Sequence, residues 1–241
     1  MSESEKPNPV AGQVSRRQML RSIALALTAA GSSGITLEAG RVVHFLAQEE
    51  KEQDGGSYQP LFFKDHEFRT VRRLTELIIP SDEVSGSALE AGAPEFIDLL
   101  CSENLELAMV FTGGILWLDR EMNRRWGSPF TSSDEQQQHR MLETLSQEAR
   151  HQERREQAAR NPRFKTDPLN LGFLQYTTEP TSTLGPGGRF FVWVRRMTVD
   201  AFATSPIGVK DVDYQGNGYW ERYRVPQEAI DYALRRSPSG D

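Results

Sequence analysis

The side chains in this sequence with the types to do chemistry are few and scattered. Glu67, Glu76, Asp98 and Asp119 fall on predicted helices, His44, His66, His139 and His151 are spread along the chain, and Cys101 is the single cysteine. Paired carboxylates would serve general acid–base catalysis, histidines with carboxylates would hold a metal, and a thiolate would be a nucleophile. The spacing supports none of these. No histidine has another ligand at i+3 or i+4 on an apolar face, so no metal site is expected. Nothing brings the four acids together, and solvated or capping carboxylates are commoner than catalytic ones. Cys101 lacks the flanking pattern of a catalytic thiol. The chain also lacks GxGxxG, GxxxxGK[ST] and CxxCH, so dinucleotide, phosphate-loop and covalent haem sites are not expected. The GPGG at 185–188 has no strand before it and reads as a turn. A helical chain with no catalytic constellation points to a binding partner rather than an enzyme, with no catalytic, cofactor-binding or metal residues of its own.

The elements that position these residues begin with SRRQMLRSIALALTAAG at 15–31. Ser15, Arg16, Arg17, Met19, Leu20 and Arg21 form a basic stretch, and Ile23 to Ala30 an apolar one. This is the layout of an export signal. The apolar run is far shorter than the roughly 20 residues that span a bilayer. The arginine pair points to the twin-arginine route, which carries folded proteins, and hence to a periplasmic location. No clean A-x-A cleavage pattern appears; LEAG at 37–40 is a partial match. Residues 1–47 are read as the signal region, 48–60 (QEEKEQDGGSYQP) as a linker, 61–236 as the domain and 237–241 as a tail. After signal and linker, what remains of the 241 residues is the size of one ordinary domain. The net charge of −6 excludes a cationic nucleic-acid-binding face as the organising feature. One cysteine allows no internal disulfide; Cys101 is either a buried thiol or a bridge to another subunit. Its position four residues after Ile97, on the same apolar face, favours burial.

Periodicity predicts an all-α domain of about five to seven helices with long connecting loops. Phe68, Val71, Leu74 and Ile78 make the stripe of a helix capped by Asp65 and stopped by Pro80. Pro94 and Glu95 suit the start of an apolar helix. Ala108, Phe111, Ile115, Leu118 and Met122 predict a helix from Leu105 to Trp126, stopped by Gly127, with Gly113 and Gly114 marking close packing of a neighbour's backbone. Ser132 with Glu135, or Ser133 with Gln136, predicts a capping box for the next helix. The charged run 147–165 reads as a solvated extension or insert. Phe190, Val194, Met197 and Ala201 mark another helix, ended by Pro206. A glycine-rich aromatic loop follows, and a last short helix starts at Pro226.

Three segments carry a resemblance: FRTVRRLTELIIPSDEVSGSALEAGAPEFIDLL at 68–100, GGILWLDREMNRRWGSPF at 113–130, and FVWVRRMTVDAFATSPIGVKDVDYQGNGYW at 191–220. In order and content the chain resembles the small, or gamma, subunit of the gluconate 2-dehydrogenase type. The most specific pieces are IIPSD, AGAPEFID, WLD and TSPIG…GY. The resemblance implies an accessory subunit, itself binding no cofactor, of a larger FAD-containing dehydrogenase of the glucose-methanol-choline type. A membrane cytochrome c subunit commonly accompanies such a pair. It further implies that the twin-arginine translocase exports both chains on this chain's signal, leaving the complex peripheral to the inner membrane. The competing readings are a stand-alone exported scaffold and an enzyme built from converging carboxylates. The insertion at 147–165 matches no feature of the family. Exposed aromatics and glycines make Pro206, Gly208, Tyr214, Gly216, Gly218, Tyr219 and Trp220 a candidate partner-facing surface. The alternative is that these aromatics close the domain's own core.

Overall fold

The apolar residues of 185–204 lie on more than one side of their helix, as in a helix surrounded by others rather than lying on a surface. A computed structural model, which describes residues 16–29, 35–53, 56–160, 184–213 and 225–236, bears this out. The described elements are α1 (Arg16–Ala29), α2 (Leu37–Gln53), α3 (Asp65–Ile78), α4 (Ala93–Glu103), α5 (Leu105–Trp126), a 3-10 turn (Phe130–Ser132), α6 (Glu135–Arg160), α7 (Gly185–Thr204), α8 (Pro206–Asp211) and α9 (Gln227–Arg236). No strand occurs among the described residues, and the fold is all-α. Helix α7 is the hub, in contact with α2, α3, α4, α5, α6 and α8. Its Phe190, Phe191, Val194, Met197, Ala201 and Phe202 are buried. No described helix is long and apolar enough to cross a membrane.

Local chemistry sets the helix ends. Asn104 caps α5 by accepting from the Leu107 N–H at 3.0 Å, and Gly127 ends that helix in the left-handed region at φ 78°. The span 105–126 is the one its periodicity predicts. Asp65 lies inside the first turn of α3 and is not its cap; the Lys64 N–H is held by Glu67 at 3.0 Å. The capping box of α6 is one residue later than expected. Asp134 accepts from the Gln137 N–H at 2.8 Å, and Gln137 accepts from the Asp134 N–H at 3.3 Å. The charged run from 147 to 160 continues α6 as helix.

Two glycine-rich stretches differ from their sequence reading. GPGG at 185–188 forms the first turn of α7, where Gly187 sits beneath Trp117 and Leu145 with no room for a Cβ. Gly114 is pressed against the Phe190 ring, a side chain and not a backbone, while Gly113 faces open space.

The largest departure is at the N-terminus. Residues 37–53, read as the end of the signal and the start of a linker, form α2 and pack on α4 and α7. Val43, Leu46 and Ala47 are buried at i, i+3 and i+4. The folded body therefore starts well before residue 61. The Ile35 N–H reaches Asp200 Oδ2 at 3.4 Å, and the far end of the supposed linker is pinned as well, since the Tyr58 hydroxyl donates to Asp98 at 2.8 Å. Helix α1 lies against α4, with Leu20 and Ala24 buried and the Ala24 carbonyl accepting from Asn104 Nδ2 at 2.8 Å.

Candidate functional site

The four acids singled out by sequence do not converge. Asp98, fully buried on α4, accepts four hydrogen bonds: the Tyr58 hydroxyl at 2.8 Å and the backbone N–H groups of Leu61 at 2.6 Å, Phe62 at 3.1 Å and Phe63 at 2.8 Å. Burial, then the adjacent carboxylate, drives the Tyr58 hydroxyl's pKa far upward. Asp119 pairs with His66 Nε2 at 2.6 Å and accepts the Phe130 N–H at 3.0 Å, fastening the 3-10 turn to α5. Glu67 completes the start of α3, and Glu76 pairs with Arg73 at 2.9 Å. Each is a local structural tie. His139 faces Glu135 at 3.8 Å on the surface, and His151 is exposed. Among the described residues no three His, Cys, Asp or Glu side chains gather as metal ligands would.

Cys101 is 2% exposed, and burial pushes its thiol well above the ordinary range, so it is poorly placed to meet another chain's thiol. Of the arginine-pair region, Leu20 is buried while Met19 and Arg21 are exposed. Arg16 and Arg17 open α1; Ser15 and the side chains of both arginines lie outside the described residues. Tyr214, Gly216, Gly218, Tyr219 and Trp220 also lie outside them.

What the fold does bring together is a groove of about 870 Å³ between α2, the turn leading into α4, and α8. Helix α2 supplies Arg41, His44, Phe45 and Lys51; the turn and α4 supply Leu89, Glu90, Gly92 and Glu95; α8 supplies Pro206, Ile207 and Val209. Two of the resemblance-bearing pieces, AGAPEFID and TSPIG, thus form two of its walls.

Each wall is stiff for a local reason. In the turn, the Ser87 N–H donates to Glu90 at 2.7 Å and the Glu90 N–H to the Ser87 hydroxyl at 3.2 Å. The Ala88 N–H ties the turn back to the Ile79 carbonyl at 2.9 Å. Gly92 enters α4 at φ 77°, a conformation that favours glycine. On the other side the sequence predicted a loop from Pro206, but Ser205 starts a new helix there. Its hydroxyl donates to the Phe202 carbonyl at 2.7 Å and accepts from the Gly208 N–H at 3.0 Å. Gly208 is buried in this corner against the Phe202 backbone, so its part is packing, whereas Pro206 lines the groove.

The groove floor holds two polar atoms in opposite states of satisfaction from those around Asp98. His44 Nε2 lies 2.8 Å from the Ala201 carbonyl oxygen. A carbonyl only accepts, so the proton is on Nε2 and Nδ1 presents a lone pair. Burial lowers the His44 pKa, partly offset by that hydrogen bond, and keeps the ring neutral at pH 7. Glu95 Oε1 is 3.8 Å from Arg72, but Oε2 is buried with no hydrogen-bond partner. Burial raises the Glu95 pKa, opposed by its own backbone N–H and by Arg72 and Lys51. A Cβ on Gly92 would lie 3.9 Å from both Glu95 Oε2 and His44 Nδ1.

Sequence reasoning missed His44, Phe45 and Glu95 as a group. His44 lies between Val42–Val43 and Phe45–Leu46 in a stretch read as the end of the signal region, and Glu95 reads as an ordinary helix-start acid; only the fold of α2 onto α4 unites them. The AGAPEFID pattern was the available signal.

Residues 65–222 match the family model of gluconate 2-dehydrogenase subunit 3, a span that runs from the start of α3 past α8 and covers well over half of the chain. No curated protein and no solved structure matches.

Proposed function

Because the chain belongs to the gluconate 2-dehydrogenase subunit 3 family, we propose that it is the small, non-catalytic subunit of a dehydrogenase complex. The family match is the observation that carries this reading. The larger subunit, of the glucose-methanol-choline type, holds FAD and performs hydride transfer, and a cytochrome c subunit can complete the assembly in the membrane. This chain's work is to support folding of the catalytic subunit, stabilise it and provide the export signal for both. The signal is the arginine pair Arg16–Arg17 with the apolar run that follows, and the destination is the periplasm.

The local ties made by Asp98, Asp119, Glu67 and Glu76 agree with a non-catalytic role, since each acid is used in holding the fold. The groove agrees with a binding role: its walls are stiff and partly apolar, and Phe45 is 63% exposed at its edge.

The test is cell fractionation of the native host with the arginine pair intact and with Arg16→Lys and Arg17→Lys together. The proposal expects this chain and a larger flavoprotein in the periplasm in the first case, and both in the cytoplasm in the second. Export of the flavoprotein irrespective of the arginine pair would refute the carrier role.

A further inference from the structure

We propose that the outer face of α5 is a self-association surface, on which a second copy of this chain lays its own α5 antiparallel, about a two-fold axis at Gly113. The inference goes beyond the accessory-subunit reading and does not depend on it.

Helix α5 is apolar on two sides. Its Ala108, Phe111, Ile115, Leu118 and Met122 are buried in the chain's own core. On the opposite side Leu105, Met109 and Leu116 are 76%, 62% and 64% exposed. Their spacing keeps them on one stripe, with exposed Thr112 and Gly113 between them. A helix lying on a core ordinarily turns charged and polar side chains to this side. Gly113 is the odd member of the stripe. Glycine weakens a helix interior, yet a Cβ here would meet nothing within 4 Å. Its neighbour Gly114 has a reason inside the chain, the Phe190 ring, and Gly113 has none. A bare backbone in the middle of an exposed apolar stripe lets a second helix approach closely.

The charges at the edge of the stripe identify that second helix. Glu106 and Arg120 are exposed, stand seven residues before and seven after Gly113, and enter no ion pair among the described residues. The other nearby charges are spent, since Arg124 and Arg125 pair with Glu121. Seven residues is close to two full turns, so Glu106 and Arg120 share one edge with Gly113, each about 10 Å from it along the axis. In an antiparallel pair with its two-fold axis at Gly113, Glu106 of each copy lies level with Arg120 of the other. Met109 of each copy falls beside Leu116 of the other. Every feature thus meets its complement across a single axis, as an isologous contact demands. A parallel pair in register would instead set Glu106 against Glu106 and Arg120 against Arg120. The stripe from 105 to 120 is about 22 Å long at 1.5 Å per residue, which is small for an interface, so the dimer is a weak one.

The test is sedimentation equilibrium of the folded full-length chain over a range of concentrations, read as a monomer–dimer dissociation constant. Reversible dimerisation is expected. Glu106→Arg alone and Arg120→Glu alone each bring like charges together twice in the dimer, and each should weaken it at least about fivefold. The two reversals together swap the members of each pair and should restore the natural constant to within about twofold. Gly113→Gln has open space in the single chain, so it should keep or raise the melting temperature while weakening the dimer. Under air oxidation Gly113→Cys should cross-link to itself, whereas Asn123→Cys, roughly 30 Å from its counterpart in this pairing, should not. Cys101, 2% exposed, stays out of that reaction. A chain that is monomeric throughout, single reversals without effect, a double reversal no better than the singles, or equal cross-linking at 113 and 123 would each overturn the proposal. So would protection of the α5 face only when a larger chain is bound, since that gives the face to a different partner. None of these outcomes bears on whether a flavoprotein co-isolates with this chain, which tests the subunit reading separately.

Discussion

Asp98 and Glu95 stand three residues apart on α4, the first fully buried and the second half-buried, and their carboxylates are partnered in opposite ways. Asp98 is ringed by four donors, three of them backbone N–H groups from 61–63, and so draws an otherwise irregular segment onto the helix. Glu95 has a distant arginine on one oxygen and nothing on the other. A buried carboxylate with all its lone pairs occupied adds to stability, because each charged hydrogen bond contributes about 1.5–3 kcal/mol. A carboxylate oxygen buried without a donor costs stability. The contrast separates the part of α4 that holds the chain together from the part that lines the groove.

Substitutions should pull the two apart. The largest effect is expected from Asp98→Ala, which orphans the Tyr58 hydroxyl and three backbone N–H groups. A loss of about 3–5 kcal/mol in urea unfolding is expected, as when one side of a buried charged network is removed. A loss under 1 kcal/mol would show that the ring of donors is not what holds 58–63.

Asp119→Ala removes a second satisfied carboxylate, one with two ties and a partner, His66, whose side chain is 41% exposed. The expected loss is smaller, roughly 1–3 kcal/mol. It should be accompanied by faster hydrogen exchange at the Phe130 amide.

Glu95→Gln should go the other way. The folded pKa of Glu95 lies above its unfolded value, so its favourable contribution is present below the ordinary glutamate range and is lost as pH rises through the folded value. The variant should match the natural chain within about 0.5 kcal/mol at pH 4 and be the more stable of the two at pH 7. A destabilised variant at pH 7 would mean that Glu95 is satisfied after all. His44 has the opposite sense: its folded pKa is lowered, so its contribution is present above the ordinary histidine value and lost as pH falls through the folded one.

The smallest effect belongs to Glu121. Arg124 and Arg125 beside it pull its pKa down to about 2 on a helix surface. Its contribution is present above the ordinary glutamate range and lost as pH falls toward that value. Glu121→Gln should cost about 0.5 kcal/mol at neutral pH and less in high salt, as measured by the melting temperature.

How much of this was legible beforehand follows from the range over which each signal acts. Helix α5 could be read to the residue, because its stripe of Ala108, Phe111, Ile115, Leu118 and Met122 and its Gly127 stop are local. The burial of Cys101 followed from its place on the Ile97 face. Helix α2 was not legible. Its short stripe of Val43, Leu46 and Ala47 runs into QEEKEQ and follows an export-like segment, so local charge outweighed a weak period. Short α8 was hidden by Pro206, which reads as a stop but also suits a first turn once Ser205 caps it. The groove was beyond local reading, since it joins 41–51, 89–95 and 204–209, and no spacing rule relates these segments. The family-like pieces at 91–98 and 204–208 marked two of its walls without revealing that they face each other.

The claim on which the account turns is that this chain works as part of a dehydrogenase. The most direct measurement is the flavin absorbance and chain composition of the tagged full-length protein isolated from its native host. The account predicts one larger chain per copy of this one, with one flavin per pair. A colourless preparation containing this chain alone would contradict it.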